Sequence, residues 1–237
     1  MRRFSPLAAA CGLIAVGWAT WSAPVSAGTL QVNPVLLEID ADRRTATVTV
    51  RNQEREPIAI RAYPLGWRQD GGEDAYAETS AVIVSPPIFT IAPGGTQLVR
   101  VGLRTPSAAP QAFRLIIEEV PAATPGEGIR VALRLNLPLH AMMARGEPAA
   151  LRWSARRQAD GSWTLEAANA GSAYVRLDPD AARAATGIRF EDTVHLGTVL
   201  PGATRRWRLG AQLRIEDNGR FRAIQRTATD VAAQGSD

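Results

Sequence analysis

An alternation of apolar and polar residues with a period of two runs through this chain after Gly28, and it limits the fold more than any other feature. Residues 45–50 alternate threonine with small apolar residues, while 58–61 and 98–101 are short runs rich in branched residues. Such runs predict half-buried strands. Turn signals separate them, namely Asp70-Gly71-Gly72, Pro93-Gly94-Gly95, Pro125-Gly126, Asp160-Gly161, Pro201-Gly202 and Asn218-Gly219. Strands at this spacing predict a sandwich or a barrel.

The chain also repeats part of its own pattern. Pro93-Gly94-Gly95-Thr96 and Pro201-Gly202-Ala203-Thr204 each begin a strand pattern, and they lie 108 residues apart. Residues 47–52 are echoed by residues 164–169 at an offset of 117, and both segments end in asparagine. Two echoes in the same order, at offsets close to the size of an immunoglobulin-like domain, predict two related sandwiches.

A turn-rich break at residues 144–148 sets the predicted domain boundary. The expected first domain is 28–143, the second is 149–226, and the small polar residues of 227–237 predict a frayed tail. Residues 179–185 carry the one helical pattern, which is two turns long at most, and we interpret them as a loop. The predicted fold class is therefore all-β, with two immunoglobulin-like β-sandwich domains joined by a short linker.

The first 27 residues are a predicted secretory signal peptide. Arg2 and Arg3 form a short positive region, an apolar stretch follows at residues 7–18, and Val25-Ser26-Ala27 is a small-residue cleavage site. The apolar stretch is shorter than the ~20 residues of a membrane-spanning helix. We therefore expect cleavage near Ala27, export, and no membrane insertion of the mature chain. A lipoprotein site at Cys11 is the alternative, which the short apolar segment before that cysteine disfavours.

Charge and composition exclude several functions. Removal of residues 1–27 leaves 210 residues, and the formal net charge falls from +4 to +2 because two arginines and no acidic residues are lost. A small excess of positive charge that is spread along the chain disfavours nucleic-acid binding. Cys11 is the only cysteine, so the mature chain has no disulfide. His140 and His195, the only histidines, lack a metal-ligand spacing. We expect no enzyme, no metal and no cofactor.

The longest alternation, residues 129–139, is the candidate functional segment. Its odd positions are all large aliphatic residues, namely Ile129, Val131, Leu133, Leu135, Leu137 and Leu139. Such a strand would extend about 35 Å at ~3.3 Å per residue, which is long for a strand. The pattern alone favours an ordinary core strand. Pro138, however, belongs at a sheet edge or a strand end, and an edge strand with a surplus apolar row calls for a partner. Strand addition to a partner is the second interpretation.

Two upstream segments carry a resemblance to a known family. Residues 84–101 read VSPPIFTIAPGGTQLVRV, and residues 113–121 read FRLIIEEVP. The first resembles the Pro-Pro, Pro-Gly and Val-Arg block of PapD-like periplasmic pilus chaperones, and the second resembles the strand that follows it. The segment at 113–121 and the long uniform row at 129–139 look more like the archaic branch of this family than like its best-known members. The resemblance covers nearly all of the mature chain, although it is diffuse in the second domain.

The resemblance implies a mechanism without catalysis. Such a chaperone inserts an apolar row into a pilin-like subunit that lacks its last strand, and here the row is Ile129, Val131, Leu133, Leu135 and Leu137. The complex then passes to an outer-membrane usher, and the implied location is the periplasm. The alternative is a secreted β-sandwich structural protein, either an adhesin or a pilin-like subunit. That alternative is disfavoured because the first strand pattern begins close to Gly28, without an N-terminal donor extension.

The chain departs from the family at the anchor for the subunit's C-terminal carboxylate. The resemblance implies an arginine on the first strand and a lysine on the donor strand, but Leu36 and Pro138 occupy those positions. Arginine is suited to a bidentate grip on a carboxylate. Arg114 is the first candidate and Arg134 the second. The alternative is that Arg114 only forms a surface ion pair, either with Glu118 or with a neighbouring strand.

Overall fold

The computed structural model describes residues 30–105, 109–121, 132–142, 148–186 and 196–209. Two units follow one another along the chain, the first up to residue 142 and the second from residue 148. The predicted signal peptide, most of the linker and the predicted tail lie outside the described residues. In the ranges given above, no helix is long and apolar enough to cross a membrane.

The described part of the first domain is a sandwich of two sheets. Its strands are β1 (Leu30–Asn33), β2 (Leu37–Asp40), β3 (Thr45–Asn52), β4 (Ile58–Asp70), β5 (Glu73–Glu78), β6 (Val82–Ser85), β7 (Ile88–Ile91), β8 (Thr96–Leu103), β9 (Gln111–Glu119) and β10 (Arg134–Met142). One sheet has the order β1-β3-β8-β6. The other has the order β2-β10-β9-β4-β5, with β7 also paired to β4. This larger sheet carries the candidate site.

The core of the first domain lies between the two sheets. Alternate residues of a strand point to the same face, so the period-two pattern places one apolar face of each sheet against the other. The fully buried residues include Val48, Val50, Val99 and Val101 from the smaller sheet and Ile60, Leu115, Ile117 and Leu139 from the larger one. Burial of each such side chain contributes roughly 1.5–3 kcal/mol before the entropy of ordering is subtracted.

The second domain has fewer described elements. They are β11 (Leu151–Arg157), β12 (Trp163–Asn169), β13 (Val175–Arg176), α1 (Pro179–Thr186), β14 (Thr198–Val199) and β15 (Thr204–Leu209). The strands form a three-stranded sheet in the order β11-β12-β15 and a two-stranded sheet of β13 and β14. Buried residues of this domain include Leu165, Ala167, Leu196 and Val199. The nearly all-β architecture confirms the predicted fold class.

The interpretation of residues 179–185 as a loop is wrong, because α1 is a helix of two turns. Asp178 caps it, and its Oδ1 accepts a hydrogen bond from the backbone N–H of Asp180 at 2.9 Å. Pro179 occupies the first helical position, where its missing N–H costs nothing. Ala182 is buried in the core of the second domain. The capping signal was readable in the sequence, whereas the packing that stabilises so short a helix was not.

The two Pro-Gly turns have the same conformation. Gly94 and Gly202 have φ angles of 67° and 68°, a region that residues with a side chain rarely adopt. In each domain a strand begins two residues later, at Thr96 or Thr204. The predicted repeat is therefore present in the structure at the level of turn and strand.

A buried asparagine joins the first of these turns to the end of β3. The side chain of Asn52 donates from Nδ2 to the carbonyls of Glu56 and Ile91 at 2.8 and 3.1 Å. Its Oδ1 accepts from the backbone N–H of Glu54 at 2.7 Å. The backbone N–H of Asn52 donates to the carbonyl of Gly95 at 3.0 Å. One side chain thus satisfies several buried backbone groups.

Asn169, the residue that echoes it at the end of β12, makes the same contacts in the second domain. Its Nδ2 donates to the carbonyls of Ala173 and Val199 at 2.8 and 3.4 Å. Its Oδ1 accepts from the N–H of Gly171 at 3.0 Å, and its own N–H donates to the carbonyl of Ala203 at 2.9 Å. The two domains therefore share one hydrogen-bonded corner.

Candidate functional site

Among the described residues, strand β10 has a free edge along its first half. On one side, residues 134–141 pair antiparallel with residues 111–118 of β9. On the other side, β2 pairs in parallel, but only with residues 139–142. Within the described parts of the chain, residues 134–138 therefore have no strand on that side. This is the segment in which the sequence predicted an edge strand.

The ladder shows which backbone groups are available at this edge. The N–H of Glu119 donates to the carbonyl of Leu133 at 2.9 Å. Because bonded and non-bonded pairs alternate in an antiparallel ladder, the odd residues of β10 turn their backbone groups toward β9. The backbone groups of Arg134 and Asn136 consequently point to the free edge. Pro138 has the same parity, so its missing N–H removes no bond to β9.

The predicted apolar row divides between two environments. Leu137 is 7% exposed and belongs to the core of its own domain. Leu135 is partly buried and packs against the same core, and Leu133 is also partly exposed. Ile129 and Val131 lie outside the described residues. Leu133 and Leu135 are thus the described members of the row that remain accessible from solvent.

A cluster of charged residues lies on the face of the larger sheet that points away from the core. Arg61 donates from Nε to Glu118 Oε1 at 2.9 Å, and the Tyr63 hydroxyl donates to Glu118 Oε2, also at 2.9 Å. Arg134 Nε lies 3.6 Å from the same Oε2. Burial opposes ionisation of Glu118, but the hydrogen bonds from Tyr63 and Arg61 outweigh it and lower the pKa of Glu118. The charge of Arg134 is therefore matched inside its own domain, which weakens Arg134 as an anchor.

Arg114 lies on the same face, in a different environment. Its Cζ is 3.7 Å from the centre of the Trp67 ring and 5.9 Å from that of Tyr76. Its Nε is buried and has no hydrogen-bond partner within the described part of the chain. Among the residues that the structure describes, none of the ion pairs includes Arg114. The alternative pairing with Glu118 does not form.

The register explains how Arg114 relates to the residue that departs from the family. Arg114 is directly opposite Pro138 in the β9–β10 ladder. Side chains at directly opposite positions have Cβ atoms ~5 Å apart on the same face of the sheet. Arg114 thus lies beside the position where the resemblance implies a lysine, on the neighbouring strand.

His140 lies on the same face, at the end of the sheet that contacts the second domain. It is 2% exposed, its ring stacks on Tyr174 of the second domain at 3.5 Å between centroids, and it lies 5.6 Å from the Trp67 ring. Burial, and secondarily the charge of Arg114, lower the pKa of His140 to about 4. His140 is therefore neutral near pH 7, and Arg114 is the cation here.

The aromatic surroundings of Arg114 were missed from the sequence. Nothing in the sequence pattern predicts a contact between Trp67 and Arg114. Trp67 and Arg114 belong to strands far apart in sequence, and the register pairs Trp67 with Tyr76 in β5 and Leu65 with Arg114 in β9. A single sequence carries no signal for that register.

Comparisons with known proteins give a consistent result. Residues 29–141 match the family model of the pili and flagellar-assembly chaperone, PapD N-terminal domain. A comparison with curated proteins found no match. Among solved structures, the chain is similar to the CsuC-CsuE chaperone-tip adhesion subunit pre-assembly complex from archaic chaperone-usher Csu pili of Acinetobacter baumannii. That match has 24% identity and a TM-score of 0.63, and it covers 77% of this chain and 88% of the other.

Two further solved structures have the same fold. The E. coli chaperone DraB matches with 13% identity and a TM-score of 0.55, over 78% of this chain and 87% of that one. The Salmonella enterica SafA pilin in complex with the SafB chaperone matches with 15% identity and a TM-score of 0.55, over 80% of this chain and 85% of that one. These likenesses show the shared architecture.

Proposed function

We infer that the chain belongs, through residues 29–141, to the PapD-like family of pilus-assembly chaperones, and we propose that it holds pilus subunits in the periplasm by donor-strand complementation. The observation that carries the proposal is the free edge at residues 134–138 of β10, beside the accessible Leu133 and Leu135. An incomplete subunit would add a strand to this edge and place the open side of its core over the apolar row. Delivery of the complex to an outer-membrane usher is part of the same proposal.

Two kinds of contact would hold the subunit. The backbone groups of Arg134 and Asn136 offer hydrogen bonds to an added strand, as in other cases of strand addition. Leu133 and Leu135, with the predicted Ile129 and Val131, supply apolar side chains worth roughly 1.5–3 kcal/mol each when buried, before the costs of association. In this proposal Leu137, the fifth residue of the predicted apolar row, mainly packs in the core of its own domain and so holds β10 in place.

Arg114 is the proposed anchor for the subunit's C-terminal carboxylate. Its guanidinium, a cation, has no acidic partner among the described residues. Its Nε is buried, but the residue as a whole is partly exposed. A carboxylate at this point would accept charge-assisted hydrogen bonds. The position beside Pro138 also fits the end of a strand added along β10.

Coexpression with the pilin-like products of neighbouring genes tests the proposal. We expect a stoichiometric complex on size exclusion, and we expect Leu133→Asp with Leu135→Asp to abolish it, because two carboxylates cannot enter an apolar groove unpaired. The altered protein should keep its far-ultraviolet circular dichroism. Leu98→Asp is the matched control, since Leu98 is an exposed leucine on the other sheet.

Three outcomes would contradict the proposal. Absence of any complex with the unaltered protein counts against subunit capture. Unfolding of the doubly substituted free protein means that Leu133 and Leu135 are core residues. Assembly of this chain into polymers of its own favours the structural alternative, an adhesin or pilin-like subunit.

A further inference from the structure

Trp67 makes two different polar contacts, and together they suggest a role beyond packing. The side chain is 5% exposed. The Arg114 guanidinium lies over its ring, with Cζ 3.7 Å from the centroid. The Trp67 Nε1–H donates to Asp74 Oδ1 at 3.0 Å. The ring therefore faces a cation while its edge is fixed by an anion.

The contact with the ring affects how Arg114 can bind. A cation over an aromatic face is attracted by the electrons of the ring. The N–H groups of a guanidinium lie in its own plane, so an aromatic ring over its face does not compete with a carboxylate for them. Without the ring, the flexible arginine side chain would lose rotamer entropy each time that it bound. Trp67 thus prepares Arg114 for the geometry that a carboxylate needs.

Asp74 in turn connects Trp67 to the second domain. Its Oδ1 also accepts hydrogen bonds from Gln69 Nε2 at 2.9 Å and from Arg205 Nη1 at 2.5 Å. Arg205 belongs to β15, and both side chains of this ion pair are largely buried, at 15% and 20% exposed. Burial opposes ionisation of Asp74, but the hydrogen bonds from Arg205, Gln69 and Trp67 outweigh it and lower its pKa. Asp74 is therefore a stable anion that holds Trp67 in place.

Gln69 adds a second connection at the same point. Its Nε2 donates to the carbonyl of Thr198 at 2.6 Å, and its Oε1 accepts from the N–H of Leu200 at 3.0 Å. The end of β4 that carries Trp67 is thus bonded to the backbone of the second domain. Because Arg205 compensates the charge of Asp74, that carboxylate does not compensate Arg114.

We propose that Trp67 is the positioning residue of the Arg114 anchor and that the Asp74–Arg205 contact between the domains acts on subunit affinity through it. The inference rests on the proposed role of Arg114 in binding the subunit's C-terminal carboxylate. It assigns the second domain a part in binding even though the free edge belongs to the first. It also gives Trp67 a role that is measurable separately from stability.

The test uses the full chain and two synthetic peptides that copy the C-terminal strand of the coexpressed pilin-like subunit. One peptide ends in a free carboxylate and the other in an amide, and affinities are measured by fluorescence anisotropy. The unaltered protein should prefer the carboxylate peptide, and Arg114→Ala should abolish that preference. Trp67→Leu should weaken carboxylate binding by about tenfold, the range of a desolvated cation–aromatic contact, and leave amide binding nearly unchanged.

Arg205→Gln extends the test to the second domain, and it decides the question if Trp67→Leu does not fold. We expect a smaller loss, about threefold, again only for the carboxylate peptide, since a shared contact is weakened and not removed. Arg208→Gln is the matched control because Arg208 is on the same strand and its ion pair with Asp160 is exposed. It should change neither affinity.

The outcomes separate the two proposals. If the unaltered protein binds both peptides equally, or binds neither, the Arg114 anchor is overturned and this inference falls with it. If Arg114→Ala removes the carboxylate preference while Trp67→Leu and Arg205→Gln keep it, the anchor stands and the positioning role is overturned. An equal loss for both peptides in Trp67→Leu would mean a merely structural role and would also overturn the inference.

Discussion

The two domains share a hydrogen-bonded corner but differ in what they leave unpaired. Asn52 and Asn169 bond equivalent backbone groups, and both lie against a Pro-Gly turn with a left-handed glycine. The described arginines of β15, namely Arg205, Arg206 and Arg208, each have an acidic partner. The first domain instead contains Arg114, which has no acidic partner among the described residues and lies next to the free first half of β10. In the proposed function, the same scaffold therefore supports the structure in one domain and binds the subunit in the other.

The comparison also shows where unpaired groups are tolerated. A free strand edge and an uncompensated cation both cost stability or solubility in an isolated domain. In the first domain they lie together, on neighbouring strands β9 and β10. Such groups in one place are expected of a binding site, since a partner can satisfy them at the same time.

Removal of the shared corner should have the largest effect on stability. Asn52→Ala and Asn169→Ala each leave several buried backbone groups without a partner, and each group costs ~1–3 kcal/mol. We expect each substitution to lower the free energy of unfolding by about 4 kcal/mol, measured by urea denaturation. If only one of the two substitutions lowered the free energy of unfolding, the two corners would be alike in geometry but would contribute differently to stability. Gln53→Ala, next to Asn52 and exposed, is the control.

A dependence on pH should follow from His140, which packs between one aromatic ring from each domain. Its pKa is lowered to about 4 in the folded protein, against about 6.5 in an unfolded chain. Between pH 6.5 and pH 4 the unfolded chain therefore binds a proton at this histidine, whereas the folded protein does not. Stability from this group is present above pH 6.5 and is lost as the pH falls toward 4, by about 3 kcal/mol in all.

Thermal unfolding of the full chain between pH 7 and pH 4 measures this loss. His140→Phe keeps an aromatic ring between Trp67 and Tyr174 but removes the titrating group. The variant should have a flatter dependence of melting temperature on pH than the unaltered protein. An unchanged slope would mean that carboxylates, not His140, cause the loss.

A smaller effect is expected from the two candidate anchors, and it sharpens the contrast between paired and unpaired cations. Arg114→Ala should weaken subunit binding by about 2 kcal/mol, the size of a charge-assisted hydrogen bond, with little change in melting temperature. Arg134→Ala should weaken binding less, because Arg134 already contacts Glu118 and the Tyr63 hydroxyl. Equal losses, or a larger loss for Arg134→Ala, would reverse the assignment.

Much of the fold was predictable from local patterns. The alternation at residues 45–50 and 98–101 correctly predicted which residues face the core. The pleat of a strand alone decides to which side each residue points, and distant residues do not affect it. The turn at Pro93-Gly94 was readable because few residues other than glycine adopt its conformation. The helix at α1 was not predicted, since its stability comes from burial of Ala182 against the rest of the domain.

The site was predictable only in part. The sequence determined by itself that the chain is all-β with a repeated unit, that Pro138 belongs near an edge, and that Arg114 is a candidate cation. The tertiary structure decided which half of β10 is free, that Leu137 is buried, that Glu118 pairs with Arg61 and Arg134, and that Trp67 lies beneath Arg114. The physical reason is that periodicity and turn conformation depend on neighbours in sequence. Charge pairing, edge exposure and contact between domains depend on strand register, which joins residues that are distant in the chain.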